Sequence, residues 1–148
     1  MKKLTIALVA HDKRKADMVE WVKYNATLLS KHILICTGTT GGLVRDAFNE
    51  LGVSAEVVCM SSGPMGGDAE IAAMVVRHEI DLAIFLIDDL NAQPHEADIQ
   101  MLLRQCRLHN TPIACNRISA DLMISSPLWD DESYKPQVQT YVSFHREE

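Results

Sequence analysis

Four cysteines occur in the chain, and none forms a CxxC pair. No apolar run is long enough to span a bilayer, and basic residues are outnumbered 14 to 20. Each absence removes a class of function. The net charge of −6 argues against nucleic acid or an anionic membrane as the main partner. An acidic chain that binds an anion must therefore gather positive groups locally. Cys36, Cys59 and Cys115 sit in strand-like apolar runs and Cys106 on a helical apolar face, so all four are expected to be buried, reduced thiols. Met1-Lys2-Lys3 is basic, but the apolar run after it is short, ends in His11-Asp12 and has no small-residue cleavage site, so a cytoplasmic protein is expected. No internal repeat, low-complexity tract or linker is found.

What is present reads as one domain over residues 1–148, with weak signals in the polar tail 127–148. A chain of this length buries roughly 70% of its unfolded surface, enough for a core without staples. Strand and helix signals alternate. Leu4–Ala10, His32–Thr37, Ala55–Met60, Leu82–Ile87 and Pro112–Asn116 are short apolar runs that suit strands. Between them, helical spacing predicts helices over Lys13 to about Leu29, Gly42–Leu51, Asp68 to about His78 and Glu96–His109, with a last one near Ala120. Gly52 stands where a helix C-cap glycine belongs. The fold class is α/β: a single doubly wound domain with five parallel strands and helices on both faces. In such sheets ligands bind beyond the carboxyl ends of the strands. His11-Asp12, Thr37–Gly42, Ser61–Asp68 and Asp88–His95 all follow strands directly.

Glycine is scarce and unevenly placed. Six of the seven glycines lie in Thr37-Gly38-Thr39-Thr40-Gly41-Gly42 and Ser62-Gly63-Pro64-Met65-Gly66-Gly67-Asp68. Glycine lets the backbone approach an anion and turn its N–H groups inward, and the first segment adds three hydroxyls just before a helix N-terminus. The same residues also suit two tight turns capped by threonine. Lys13, Arg14 and Lys15 oppose the dipole at a helix start, a cost that a bound anion offsets. Lys13 and Arg14 read as a solvated face and Lys15 as the phosphate contact. Asp68 is either a helix cap or a base, and a helix N-terminus favours its anion and weakens it as a base. His95 is either an exposed loop histidine or part of the site. His78 and His109 sit near helix C-termini, where the dipole favours them. His32 and His145 have no evident partner.

Together, Ala10-His11-Asp12, Lys15, Thr37-Gly38-Thr39-Thr40-Gly41, Ser62–Asp68 and Leu90-Asn91-Ala92-Gln93-Pro94-His95 with Asp98 resemble the methylglyoxal synthase family over most of residues 4 to 126. The resemblance implies strand order 3-2-1-4-5. It also implies a homohexamer that eliminates phosphate from dihydroxyacetone phosphate with no metal or cofactor. It assigns Asp68 as the base and His95 as the group that polarises the carbonyl. Lys15, Thr37, Gly38, Thr39, Thr40, Ser62 and Gly63 match the phosphate contacts, and His11, Asp12, Asp88 and Asp98 the shell around the reacting atoms. Arg146, the only arginine beyond Arg117, matches a tail contact to phosphate in a neighbouring subunit. Asp89 and Ala69-Glu70 depart from the proline and the glutamine pair common in the family.

Three other readings compete. A regulatory module of the same fold needs the phosphate cradle but neither base nor electrophile. A signalling receiver needs an aspartate at the end of strand three, where Met60-Ser61-Ser62 stands. A metal-dependent phosphohydrolase could draw on His11, Asp12, Asp88, His95 and Asp98, whose spacing matches no compact metal motif.

Overall fold

A computed structural model of the protein describes residues 2–134. Five parallel strands form one sheet in the order β3-β2-β1-β4-β5. They are β1 (Thr5–Ala10), β2 (Ile33–Cys36), β3 (Glu56–Cys59), β4 (Leu82–Leu86) and β5 (Ile113–Ala114). The central strand explains its own sequence. Ile6, Leu8 and Ala10 join one core, while Ala7 and Val9 join the other, so both faces must be apolar. Among the described residues six α-helices cover the sheet: α1 (Lys15–Tyr24), α2 (Ala26–Leu29), α3 (Gly38–Leu51), α4 (Gly67–Val76), α5 (Glu96–Leu108) and α6 (Arg117–Ile124). Met18, Trp21, Val44, Phe48, Ala120 and Ile124 pack α1, α3 and α6 on one face. Ile71, Val75, Ile99 and Leu102 pack α4 and α5 on the other.

The strand order puts the reversal between β1 and β4, which are in register from Ile6↔Leu82 to Ala10↔Leu86. There the chain leaves the sheet in opposite directions and opens a crevice at the carboxyl edge.

Some local expectations need correction. The helix expected over Lys13–Leu29 starts with a 3-10 turn at Asp12–Arg14 and breaks at Asn25. The Asn25 side chain donates to the Trp21 carbonyl at 3.0 Å and to Asp121 at 3.2 Å, so it competes locally with the helical pattern. The helix after β2 starts at Gly38, not Gly42. A Cβ on Gly41 would run into Cys59 Sγ and lie 3.2 Å from Cys36 Cβ, so this glycine serves close helix–sheet packing rather than a turn. Gly52 does cap that helix, with φ +67°.

The cysteines divide. All four are free, but only Cys36 and Cys106 are buried; Cys59 and Cys115 are exposed. The reason is topological: β3 and β5 are the sheet's edge strands. Burial pushes the Cys36 thiol up to about 12 and the Cys106 thiol to about 11. His32 does have a partner, since its Nδ1 accepts the Leu4 N–H at 2.9 Å. His145 and Arg146 lie outside the described residues.

Candidate active site

Four loops at the carboxyl edge enclose a cavity of about 270 Å³, lined by His11, Asp12, Lys15, Thr37, Thr39, Ser62, Gly63, Asp68, Gln93, Pro94 and His95 among others. Its size falls just below the range of roughly 300–1,000 Å³ typical of drug-sized ligands and suits a small metabolite. A larger hollow of about 820 Å³ lies beside Lys2, Trp129 and Tyr134, but among the described residues no histidine lines it.

Asp68 is the second residue of α4 and is fully buried. It is not a cap. Gly66 takes the cap position, and neither Asp68 oxygen has a hydrogen bond. His95 Nε2 stands 3.2 Å from Oδ2, close but not aligned as a hydrogen bond. Burial raises the Asp68 pKa; nearby His95 opposes this, Asp98 adds to it and Lys15 opposes it. A helix N-terminus by itself would favour the anion of this carboxyl. Desolvation wins instead, because the carboxylate is fully buried and gains no N–H donor from the helix.

His95 precedes α5, and its carbonyl accepts the Asp98 and Ile99 N–H groups at 3.0 and 3.1 Å. That anchors the histidine main chain to the helix start, and the ring lies beside Asp68. A Cβ on Gly63 would lie 2.9 Å from His95 Nε2, so any larger residue there would push the His95 ring from its place. His11 has a defined tautomer. Its Nδ1 accepts the Asp88 N–H at 2.9 Å, so in the neutral ring the proton sits on Nε2, which is buried and unpartnered. Burial lowers the His11 pKa, helped by His95 and opposed by Asp88, which keeps the ring neutral. The His11 and His95 rings meet edge to face at 5.7 Å.

The anion side is equally specific. Lys15, the first residue of α1, donates to the Ala10 carbonyl at 3.2 Å and to Asp12 at 2.6 Å. That contact holds the Asp12 carboxyl below its usual range. Main-chain N–H groups of Thr39, Thr40, Ser62 and Gly63 have no hydrogen-bond partner among the described residues. Free N–H groups at the start of α3 and in the glycine loop, beside one lysine, form an anion nest in a chain of negative net charge.

A model of the MGS-like domain matches residues 17–115. The methylglyoxal synthase of Treponema socranskii is 67% identical, over 98% of this chain and 92% of its own length. That of Proteus mirabilis is 48% identical, over 96% and 90%. The chain belongs to the methylglyoxal synthase family. A crystal structure of the Elizabethkingia anophelis methylglyoxal synthase matches the fold with a TM-score of 0.81 at 42% identity, covering 97% of this chain and 91% of that one. The strand order expected from the family resemblance is the one observed.

Not every residue named from that resemblance lines the cavity of this family member. Asp88 lines a neighbouring groove, and its carboxylate is occupied by Asn91 Nδ2 at 2.9 Å and the Leu90 N–H at 3.0 Å. The Asn91 contact, with the Leu90 N–H, holds Asp88 below the usual carboxylate range. Its main-chain N–H orients His11, a role that no side-chain pattern reveals. Asp98 reaches Asp68 only electrostatically. The Gly38 N–H is spent on the Ser61 carbonyl at 3.1 Å, and the Thr40 hydroxyl points to the Ala10 carbonyl at 3.4 Å. Glu70, noted in the sequence only as part of a departure from the family's glutamine pair, accepts the Ser61 N–H on its Oε1 at 2.9 Å. No group of three or more histidine, cysteine, aspartate or glutamate side chains is placed to hold a metal ion among the described residues.

Proposed function

We propose that this protein is a methylglyoxal synthase, a carbon–oxygen lyase that converts dihydroxyacetone phosphate into methylglyoxal and inorganic phosphate. The observation that carries the reading is the buried, unbonded Asp68 carboxylate facing His95 Nε2 at 3.2 Å, beside Lys15 and free main-chain N–H groups. The 67% identity to a protein named methylglyoxal synthase supports it.

The phosphate binds Lys15 and the N–H and hydroxyl groups of Thr37, Thr39, Ser62 and Gly63. Asp68 takes a proton from the hydroxymethyl carbon next to the carbonyl, and the electron pair moves onto the carbonyl oxygen. His95 and the His11 Nε2–H donate to the oxygen where charge develops. A base paired with positioned imidazole donors is what enolisation at neutral pH requires. Triosephosphate isomerase offers a chemical parallel, since it too joins a carboxylate base to a neutral histidine. The remaining hydroxyl proton then passes to the oxygen of the former carbonyl, and the electron pair left on the other oxygen forms the aldehyde, shifts the double bond toward the phosphate-bearing carbon and expels phosphate by breaking the bridging C–O bond. The product, 2-hydroxypropenal, tautomerises to methylglyoxal. Elimination requires the bridging C–O bond to stand perpendicular to the enediolate plane, so the phosphate grip selects elimination over isomerisation.

The reading includes a homohexamer in the cytoplasm. Exposed apolar side chains at Leu90, Ile118 and Leu122 support an assembly, and the four free thiols support a reducing compartment. Among the described residues no helix is long and apolar enough to cross a membrane. The test is to incubate pure protein with dihydroxyacetone phosphate and measure methylglyoxal and free phosphate. Equimolar release of both is expected. Formation of glyceraldehyde 3-phosphate alone would replace elimination with isomerisation, and no turnover would leave a binding module.

A further inference from the structure

Ser61 joins the two glycine-rich segments of the site. Its carbonyl accepts the N–H of Gly38 at the start of α3, and its own N–H donates to Glu70 in α4. The last sheet bond before it is the Met60 N–H to the Cys36 carbonyl at 2.7 Å. Beyond it, Ser62 and Gly63 bring their free N–H groups to the cavity. The other main-chain bonds of this loop are internal or run to the first turn of α4: Met65 and Gly67 N–H to the Ser62 carbonyl, Gly66 N–H to the Gly63 carbonyl, and Glu70 N–H to the Gly66 carbonyl. The entry to the donor loop is thus fastened by Gly38 on one side and by Glu70 on the other.

We propose that Glu70 is a positioning residue that fixes the phosphate grip relative to the base. The inference rests on the catalytic reading above. Glu70 and Asp68 share the first turn of α4 but, two residues apart, face different ways. Asp68 is buried without a hydrogen bond, whereas Glu70 is exposed and accepts one. One acid is left free to react while the other ties the phosphate loop to the same helix. A loop attached to α4 keeps a fixed distance from Asp68. Because the Glu70 charge faces solvent and is screened, the acceptor oxygen matters rather than the charge.

The test compares the full chain with Glu70→Ala and Glu70→Gln. Inorganic phosphate is titrated by calorimetry, and KM and kcat are measured with dihydroxyacetone phosphate. Glu70→Ala is expected to weaken phosphate binding and raise KM by roughly three- to tenfold, the scale of one hydrogen bond, with kcat within about twofold. Glu70→Gln keeps a carbonyl acceptor and is expected to restore both. Thermal melts near wild type would show that the variants are folded, as an exposed substitution predicts. Unchanged phosphate affinity in Glu70→Ala would overturn the proposal, as would a Gln variant as weak as the Ala variant. A fall in kcat at constant KM would also overturn it. Phosphate binding does not require turnover, so an inactive wild type with the expected phosphate response would refute the catalytic reading and support the role of Glu70.

Discussion

Replacing Asp68 with asparagine keeps the shape of the side chain and removes its charge. In the folded protein burial raises this carboxyl's pKa, so the folded state holds the proton to a higher pH than the unfolded chain, where an aspartate titrates near 3.9. The sign follows. Below about pH 4 both states are protonated and the charge costs nothing. As pH rises through the window up to the folded value, the unfolded state gains and stability falls. Each unit of displacement withholds about 1.4 kcal/mol at neutral pH, or roughly 3–6 °C in Tm at this chain length. Neither oxygen has a hydrogen bond to lose, and the amide inherits the polar cost without the charge. Asp68→Asn should therefore melt higher than wild type at pH 8, by that amount for each unit by which the folded pKa is raised, with the gap closing toward pH 4. Activity should fall by at least roughly 10²-fold, the scale for losing a positioned base. Calorimetric melts at pH 4, 6 and 8, together with methylglyoxal assays, check both effects. A variant that is less stable at pH 8, or a gap independent of pH, would refute the burial argument. Near-normal turnover in the folded variant would refute the base assignment.

Three further outcomes follow from the geometry. His95→Gln should slow turnover while leaving the inhibition constant for inorganic phosphate nearly unchanged; an effect on phosphate affinity alone would mean that His95 is not at the reacting carbonyl. Lys15→Ala should mainly raise KM, by about tenfold for a lost charge-assisted contact, and an unchanged KM would remove Lys15 from the cradle. His11 titrates below its ordinary value because of burial and then His95, so the stability it contributes is present above about pH 6.5 and is lost as pH falls below that. His11→Asn keeps an acceptor for the Asp88 N–H but cannot protonate. It should flatten the loss of denaturant midpoint between pH 7.5 and pH 5, and an unaltered slope would assign that loss to other groups such as His32.

The sequence alone determined the architecture. Short apolar runs alternating with helical periodicity specify parallel crossovers, and the central strand is apolar at every position from Ile6 to Ala10 because helices cover both faces. It also placed His11, Lys15, Thr37, Thr39, Ser62, Gly63, Asp68 and His95 at strand ends, since ligand residues of such sheets collect there. Tertiary structure decided what each group can do. Whether Asp68 caps a helix or waits as a base depends on its burial and on donors it does not receive. The His11 tautomer depends on a main-chain N–H 77 residues away. Cys59 ends one edge strand and Cys115 directly follows the other, which leaves both exposed, and Glu70 matters because a loop folds back to meet it. Periodicity follows from local burial, but pKa, tautomer and exposure are set by neighbours distant in the chain, which only the folded packing supplies.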